Sequence, residues 1–212
     1  VDGMILTRTY ENDKYVKFLK QKQIPFVAVG KFPDDDVVQV DHDNVGACKE
    51  LVTVLFAKGI QNIAYLGSNM DQMVNRCRYQ GYEEAYRKGK RKLNQDLVYT
   101  DLSSRAMVEK AVEELKNSGV ECILCQDDYI CDEVVRKLAR MGVRIPDQMK
   151  VASCHYSRIL ENYPITITSL KFNITELGRR SCQVLLDMIH GKTVPDKTLL
   201  DYEIILKEST KG

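Results

Sequence analysis

Apolar and polar positions along this 212-residue chain alternate with two periods, one typical of helices and the other of buried strands. Both occur within residues 37–67, VVQVDHDNVGACKELVTVLFAKGIQNIAYLG. Apolar residues recur at helical spacing from Cys48 to Phe56, and Gly59 stands where a left-handed cap would end the helix. Residues 63–67 then form an apolar run that predicts a buried parallel strand opening onto a loop. This stretch is therefore predicted to be a strand–helix–strand unit of an α/β sheet.

The same succession of strands and helices continues on both sides of that unit. Further strands are predicted at residues 1–6, 24–30, 97–99, 120–125, 150–154, 166–171 and 202–206. Further helices are predicted at residues 13–22, 78–87, 104–116, 130–141 and 173–189. Because the strands are too apolar to have a solvated face, the pattern indicates an α/β fold with parallel sheet covered by helices. The first strand has no element before it to pair with, so we expect the chain to be a fragment.

Composition and charge narrow the possible classes of protein and of binding partner. The chain is 44% apolar and 29% charged, which is ordinary for a globular protein with a buried core. Its formal net charge of +1 argues against binding nucleic acid or an anionic membrane through charge alone. No apolar run approaches the roughly 18 residues of a membrane helix, and the N-terminus lacks the form of a signal peptide. We therefore expect no membrane partner.

Seven cysteines, an odd number scattered mostly inside apolar segments, fit a reducing cytoplasm better than a disulfide framework. The spacing of Cys122 and Cys125, with Cys131 beyond, could be that of a metal site. Residues 121–125 have the pattern of a strand, however, whereas zinc knuckles need a turn. Buried core thiols are the favoured interpretation, and we expect no metal and no cofactor.

Loops rich in hydrogen-bonding groups follow the predicted strands, and ligands of parallel α/β sheets bind at the carboxyl ends of strands. The charged and amide side chains of these loops, with one imidazole, are Arg8, Glu11, Asp41, Asp43, Asn69, Asp71, Arg76, Arg78, Asp101, Asp127, Asp128 and His155. Such a set, poor in aromatic rings, suits a polyhydroxylated or otherwise polar small molecule, since each hydroxyl needs a donor and an acceptor. The alternative is an ordinary solvated surface, because loops are polar in most proteins.

Evidence for an enzyme is weaker. The sequence contains no glycine-rich phosphate loop and no Gly-x-Ser-x-Gly elbow. His155, the only histidine that follows a predicted strand, could form a catalytic set with Asp127, Asp128 and Ser157, but no spacing requires it. We therefore expect no enzymatic activity.

Two further pairs of side chains have open interpretations. Asp41 and Asp43 could bind a metal or exchange protons, although helix capping is favoured. Arg76 and Arg78 could be the solvated start of a helix, but an arginine at that position opposes the helix dipole, which favours a local purpose.

Several short motifs follow one another along essentially the whole chain. They are VDGMIL at residues 1–6, IPFV at 24–27, Val40-Asp41 with Gly46, GIQNIAYLG at 59–67, RYQGYEEA at 78–85, DYIC at 128–131, IP at 145–146, ITSL at 167–170, ELGR at 176–179 and KEST at 207–210. Each motif alone is unspecific, but the ordered set resembles the LacI/GalR family of transcriptional regulators.

The resemblance implies a periplasmic binding protein-like fold of type I, in which two parallel-sheet, Rossmann-like subdomains are joined by three crossovers and the effector lies between them. Residues 1–40 and 166–197 would form the N-terminal subdomain, truncated at its start, and residues 41–165 and 198–212 the C-terminal one. The crossovers would lie near residues 40–43, 163–166 and 195–199. Two further strands and helices of the family pattern, and a helix-turn-helix DNA-binding domain, would precede residue 1 and are absent from this chain.

The resemblance also carries ligand-binding roles onto matching positions. Arg78 corresponds to an arginine that commonly bonds the effector, and Asp127 and Asp128 to an Asn-Asp pair that is a second common contact. His155 falls where the family usually has an aspartate, and an imidazole can both donate and accept, so the effector need not be the usual neutral sugar. The remaining candidates are Leu102 and Ile174 as apolar contacts, and Arg8 and Glu11 in a loop that reaches the cleft.

The resemblance predicts a sensor that binds a small polar effector, a sugar or sugar derivative, and changes the affinity of an attached domain for operator DNA. The two lobes would hinge about the crossovers. Two copies would form a homodimer to read a palindromic operator, with the helices at residues 13–22 and 173–189 as candidate interface pieces. The alternative is a periplasmic solute-binding protein for sugar transport, which shares the fold. The free cysteines and the closing Lys-Glu-Ser-Thr favour the regulator.

Overall fold

The computed structural model describes residues 1–34 and 36–211, which form two β-sheets and six α-helices. The strands are β1 (Met4–Leu6), β2 (Phe26–Val29), β3 (Gln39–His42), β4 (Ile63–Leu66), β5 (Val98–Tyr99), β6 (Cys122–Cys125), β7 (Lys150–Ser153), β8 (Thr168–Phe172), β9 (Lys197–Leu200) and β10 (Tyr202–Ile205). The helices are α1 (Lys14–Gln21), α2 (Asn44–Ala57), α3 (Met73–Lys88), α4 (Arg105–Leu115), α5 (Asp128–Arg140) and α6 (Ile174–Ile189).

The two sheets are almost entirely parallel. The smaller sheet has the strand order β1-β2-β3-β9, with every pair parallel. The larger sheet has the order β10-β8-β7-β6-β4-β5, in which only the β10–β8 pair is antiparallel. Hydrophobic clusters cover both faces of the larger sheet, which explains why its strands are apolar on both sides. The predicted α/β fold class is confirmed.

The chain passes between the sheets at three points, after β3, after β8 and after β9. The first crossing lies where it was predicted. The other two predicted positions, near residues 163–166 and 195–199, are wrong, because β8 pairs inside the larger sheet and β9 pairs with β3 in the smaller one. A hydrogen bond from the Thr168 N–H to the Ser209 hydroxyl oxygen, 2.9 Å long, ties β8 to the end of the chain on the larger sheet. We propose that the subdomain boundaries move accordingly, to about residues 42, 173 and 201.

The predicted helix starts at residues 13, 104 and 173 and the predicted cap at Asp43 agree with the structure, whereas α5 begins two residues before its predicted start and is capped by Asp127, a predicted ligand contact. A side-chain oxygen accepts a backbone N–H at the start of five helices, those capped by Asp13, Asp43, Ser104, Asp127 and Asn173. Helix α3 differs: it begins five residues before its predicted start, without a side-chain cap from Gln72. Its first helical N–H, that of Met73, donates instead to the Thr9 carbonyl oxygen at 3.2 Å. This tertiary contact is not visible in the local sequence.

Helices α2 and α3 pack closely because a glycine lies at their contact. A Cβ atom at Gly81 would lie 2.4 Å from the carbonyl oxygen of Val45 and 2.8 Å from the Cβ of Cys48. One residue farther along, the Tyr82 hydroxyl donates to the Ile63 carbonyl oxygen at 2.7 Å. These contacts fix α3 against α2 and β4, and thereby fix the direction in which the side chains of the helix point.

Candidate functional site

A cavity of about 260 Å³ lies where the carboxyl ends of the two sheets face each other. The segments after β1, β2 and β3 form one wall, the segment after β7 and the end of β8 form another, and α3 and α6 contribute the rest. The lining residues are Thr7, Arg8, Thr9, Val29, Gly30, Asp41, His42, Asn44, Gln72, Val74, Arg78, His155, Phe172, Ile174 and Leu177. Parallel α/β sheets bind ligands at this edge, so the cavity is the candidate site.

Arg78 is buried in the wall of this cavity, with 8% of its surface exposed. It lies in the second turn of α3, and the interpretation of a solvated helix start is therefore wrong. One guanidinium nitrogen, Nη1, donates to the Gln126 carbonyl oxygen at 3.0 Å, while Nε has no hydrogen-bond partner among the described residues. A buried donor without a partner costs free energy, and a bound ligand would supply the missing acceptor.

Two histidines from different sheets flank the ring of Phe172 in the same cavity. The ring centroid of His42 lies 4.9 Å from that of Phe172, and the centroid of His155 lies 6.1 Å from it. His42 Nε2 and His155 Nδ1 are buried and have no hydrogen-bond partner among the described residues. His42 was missed because the sequence predicts that the extended run before α2 ends at Asp41, whereas β3 ends at His42. His155 is therefore not the only histidine at a strand end in the described part of the chain.

Burial keeps both imidazoles neutral near pH 7. For His42, burial lowers the pKa, and the neighbouring His155 lowers it further. For His155, burial and then Arg78 lower the pKa, against an opposing effect of Asp128 and Asp127. A neutral imidazole has one donor and one acceptor nitrogen, and therefore suits a ligand that carries hydroxyl groups.

Asp41 lies in the same wall, where the charged form of its carboxylate is less favourable than it is in water. Burial raises its pKa to about 6, although the His42 N–H and the Asn44 side chain donate to its Oδ1 at 2.8 and 3.2 Å. The folded state therefore binds more protons than the unfolded state between about pH 4 and pH 6, and the contribution of Asp41 to stability falls as the pH rises through that window.

Replacing Asp41 by asparagine is expected to stabilise the fold at pH 7 by about 1–3 kcal/mol, because the amide keeps an acceptor for both donors without a buried charge. The free energy of unfolding, measured by urea titration, should differ between Asp41→Asn and the unchanged chain at pH 7 and converge by about pH 4. Asp43→Asn is the matched control, since asparagine caps α2 equally well and should change stability by less than about 0.5 kcal/mol. Destabilisation of Asp41→Asn at pH 7 would contradict this interpretation.

Of the other predicted ligand residues, some line the cavity and others do not. Arg8 and Ile174 line the cavity, and Ile174 is 63% exposed at the start of α6. Asp127 caps α5 by accepting the Ile130 N–H at 2.9 Å, and Asp128 is the first residue of that helix. Neither carboxylate lines the cavity, although both act on His155. Leu102 belongs to the hydrophobic core beneath α4 and α5, so the structure gives it a packing position instead of a place on the cavity wall.

Glu11 also lies outside the cavity, at its rim. Its carboxylate forms an ion pair of 2.8 Å with Arg76 on α3. Beside this pair, Tyr10 and Gln72 form an antiparallel bridge. The loop after β1 is thus connected directly to α3 of the other sheet. Both members of the ion pair are partly exposed, so the pair itself contributes at most about 1 kcal/mol.

The cysteines lie mainly in the core. Cys122 packs on the α2 and α3 side of the larger sheet and Cys125 on the α4 and α5 side, so the two residues cannot bind one metal ion together. Within residues 1–34 and 36–211, no three His, Cys, Asp or Glu side chains are grouped as metal ligands would be. None of the helices in the described part of the chain has the length and hydrophobicity needed to cross a bilayer.

Comparison with known proteins identifies relatives of this chain. Residues 52–210 match the family described as a periplasmic binding protein-like domain. The regulator CelR of Thermobifida fusca is 26% identical over 215 residues, covering 99% of this chain and 63% of CelR. MalR of Streptococcus pneumoniae is 27% identical over 216 residues, covering 98% of this chain and 63% of MalR. Both are named as helix-turn-helix-type transcriptional regulators, and this chain spans less than two thirds of either.

Solved structures show the same relationship. A complex of the regulator CelR with cellobiose superimposes with a TM-score of 0.89 at 26% identity, covering 99% of this chain and 66% of that one. A protein described as a LacI transcriptional regulator from Bacillus cereus subsp. cytotoxis gives a TM-score of 0.92 at 26% identity, covering 100% of this chain and 77% of that one. The chain therefore belongs to the periplasmic binding protein-like domain family, and over nearly its whole length it is similar to the transcriptional regulators named above.

Proposed function

We propose that this chain senses a small polar effector in the cleft between its two sheets and passes the signal to a DNA-binding domain. One observation carries the proposal: three buried nitrogen atoms, Arg78 Nε, His42 Nε2 and His155 Nδ1, belong to residues that line one cavity and have no partner among the described residues. Burying each of these nitrogen atoms costs free energy unless a ligand completes its hydrogen bonds.

A sugar or sugar derivative is the favoured class of effector. The neutral imidazoles and the guanidinium offer both donors and acceptors, which matches hydroxyl groups, and the rings of His42, His155 and Phe172 offer flat surfaces for a carbohydrate. A relative with 26% identity, CelR, has a structure in complex with cellobiose. These two facts support the proposal from independent directions.

The coupling mechanism follows from the connection between the sheets. Three chain crossings form a hinge on one side of the cavity, and the loop after β1 contacts α3 on another. An effector that binds the closed arrangement more tightly than the open one shifts the equilibrium toward closure. A shift from 1:99 to 99:1 needs about 5.5 kcal/mol of differential affinity.

The partners in this proposal are operator DNA and a second copy of the chain. The relatives named above are helix-turn-helix-type regulators, and two such units held at a fixed spacing read a palindromic operator. Phe18 on α1 and Leu186 on α6 are each 50% exposed, which fits the two candidate interface helices. These helices lie on opposite faces of the smaller sheet. No catalytic step is part of the proposal.

A thermal-shift screen tests ligand binding by the chain itself. Sugars, sugar acids, sugar phosphates and purines are tested against the unchanged chain and against Arg78→Met. At least one sugar-class compound is expected to raise the melting temperature of the unchanged chain, because a ligand that binds only the folded state stabilises it. The same compound should shift Arg78→Met much less. Equal shifts in both proteins would place the binding site elsewhere.

A further inference from the structure

Two arginines of the cavity form no ion pair within the described part of the chain, although the Asp41 carboxylate in the same lining is near enough to Arg78 for the guanidinium to lower its pKa. Arg8 and Arg78 both line the cavity, and neither forms an ion pair with a described residue. For Arg78 this is unusual, because a buried charge normally has a partner of opposite sign. Its only acceptor among the described residues is a neutral carbonyl oxygen, that of Gln126.

The N-terminus of α3 lies at the same cavity, and one of its backbone N–H groups has no acceptor among the described residues. Gln72 provides no side-chain cap, and Gln72 and Val74 both line the cavity. The N–H groups of Met73, Asn75 and Arg76 donate to carbonyl oxygens, whereas that of Val74 donates to none of the described residues. A helix N-terminus carries partial positive charge and binds anions through such free N–H groups.

The carboxylates near the cavity either accept hydrogen bonds from the protein or lie outside the cavity lining. The Oδ1 atom of Asp41 accepts from His42 and Asn44, and Asp127 Oδ1 caps α5. Asp128 does not line the cavity. The described lining of the cavity therefore includes two guanidinium groups and residues at the N-terminus of α3, but a single carboxylate, that of the half-buried Asp41.

We propose that the effector carries an anionic group, a carboxylate or a phosphate, which lies at the N-terminus of α3 between Arg8 and Arg78. This proposal rests on the sensor function proposed above and names its ligand class. The hydroxyl-bearing part of the effector then extends toward His42, His155 and the Phe172 ring. The anion accepts from Arg78 Nε, from the Val74 N–H and from the Arg8 side chain, which supplies a partner for each unsatisfied donor on this side of the cavity.

Matched ligand pairs test the charge requirement. Isothermal titration calorimetry compares D-glucose with D-gluconate and D-glucose 6-phosphate, D-galactose with D-galacturonate, and D-ribose with D-ribose 5-phosphate, with inorganic phosphate as the anion alone. In at least one set the anionic member is expected to bind at least about tenfold more tightly than its neutral parent, since charge-assisted hydrogen bonds are roughly twice as strong as neutral ones. The sugar acids and the sugar phosphates form separate arms, so the preferred anion is identified as a carboxylate or a phosphate.

Arg8→Gln isolates the charge from the rest of the site. It retains a hydrogen-bonding side chain and is expected to remove most of the preference for the anionic member, and higher ionic strength should weaken that preference in the unchanged chain. Arg87→Gln, an 80% exposed arginine at the far end of α3, is the matched control and should leave the preference unchanged.

The outcomes separate the two proposals. If neutral parents bind as tightly as their anionic partners and Arg78→Met weakens both, the sensor stands and the anionic class is wrong. If Arg8→Gln leaves the tenfold preference intact, the proposed position of the anion is wrong. If no member of the panel binds, both the anionic class and the proposed sugar-type sensor are wrong.

Discussion

Replacing Arg78 by methionine is expected to weaken effector binding by about 10- to 100-fold, because a hydrogen bond to a charged group contributes roughly 1.5–3 kcal/mol. Methionine fills similar space, so the α3 packing should be retained while the buried guanidinium is lost. Calorimetry with the compound identified in the screen gives the affinity, and circular dichroism checks that the fold is retained.

Arg76→Met is the control for this substitution. Arg76 lies two residues earlier on the same helix, points to the rim, and pairs with Glu11 in a partly exposed ion pair. Since such a pair contributes at most about 1 kcal/mol, affinity should fall by less than about fivefold. Equal losses in the two variants would show that Arg78 acts through general helix stability, and would remove it from the ligand site.

The second large effect is expected from Gly81→Ala, which should destabilise the fold by about 2–4 kcal/mol. The added methyl group would overlap the Val45 carbonyl oxygen at 2.4 Å and approach the Lys49 nitrogen at 3.0 Å, and backbone atoms of α2 cannot move aside cheaply. Helix α3 would have to shift away from α2. Because Arg78 lies one turn before Gly81, effector affinity should fall as well.

Gly178→Ala, at another glycine inside a helix, is expected to stabilise the protein instead of destabilising it. Gly178 lies inside α6, where an added Cβ would meet no atom within 4 Å. Alanine there should stabilise the protein by about 0.5–1 kcal/mol, because it lowers the backbone entropy of the unfolded chain. Urea titration of both variants gives the comparison, and destabilisation of similar size at the two positions would contradict the close α2–α3 contact.

The sequence was sufficient for features that depend on local periodicity and capping. The side-chain caps of α1, α2, α4 and α6 and the glycine after α2, with φ of +88° at Gly59, lie where the pattern predicts a helix to begin or end. Asp127, which caps α5, was predicted as a ligand contact instead. Arg8 and His155, predicted in loops after strands, line the cavity; Arg78 lines it too, but from the second turn of α3 and not from the predicted loop. In these cases the deciding interactions lie within a few residues along the chain.

Features that depend on distant pairing were not predictable in this way. The strand β8 belongs to the larger sheet because it pairs with β7 and β10 and is tied to Ser209, contacts that no local pattern contains. Helix α3 begins early because the loop after β1 supplies the acceptor at Thr9. Likewise, His42 lines the cavity only because β3 extends by one more residue in the folded sheet.

The most direct test of the sensor is the effect of the identified effector on DNA binding by the whole protein that carries this chain. Fluorescence anisotropy with a labelled operator fragment gives the dissociation constant with and without saturating effector. The effector is expected to change it by at least about fivefold, a typical allosteric coupling, and to have little effect on Arg78→Met. If the effector binds the cleft and the dissociation constant for DNA stays the same, the proposed coupling between cleft and operator is wrong.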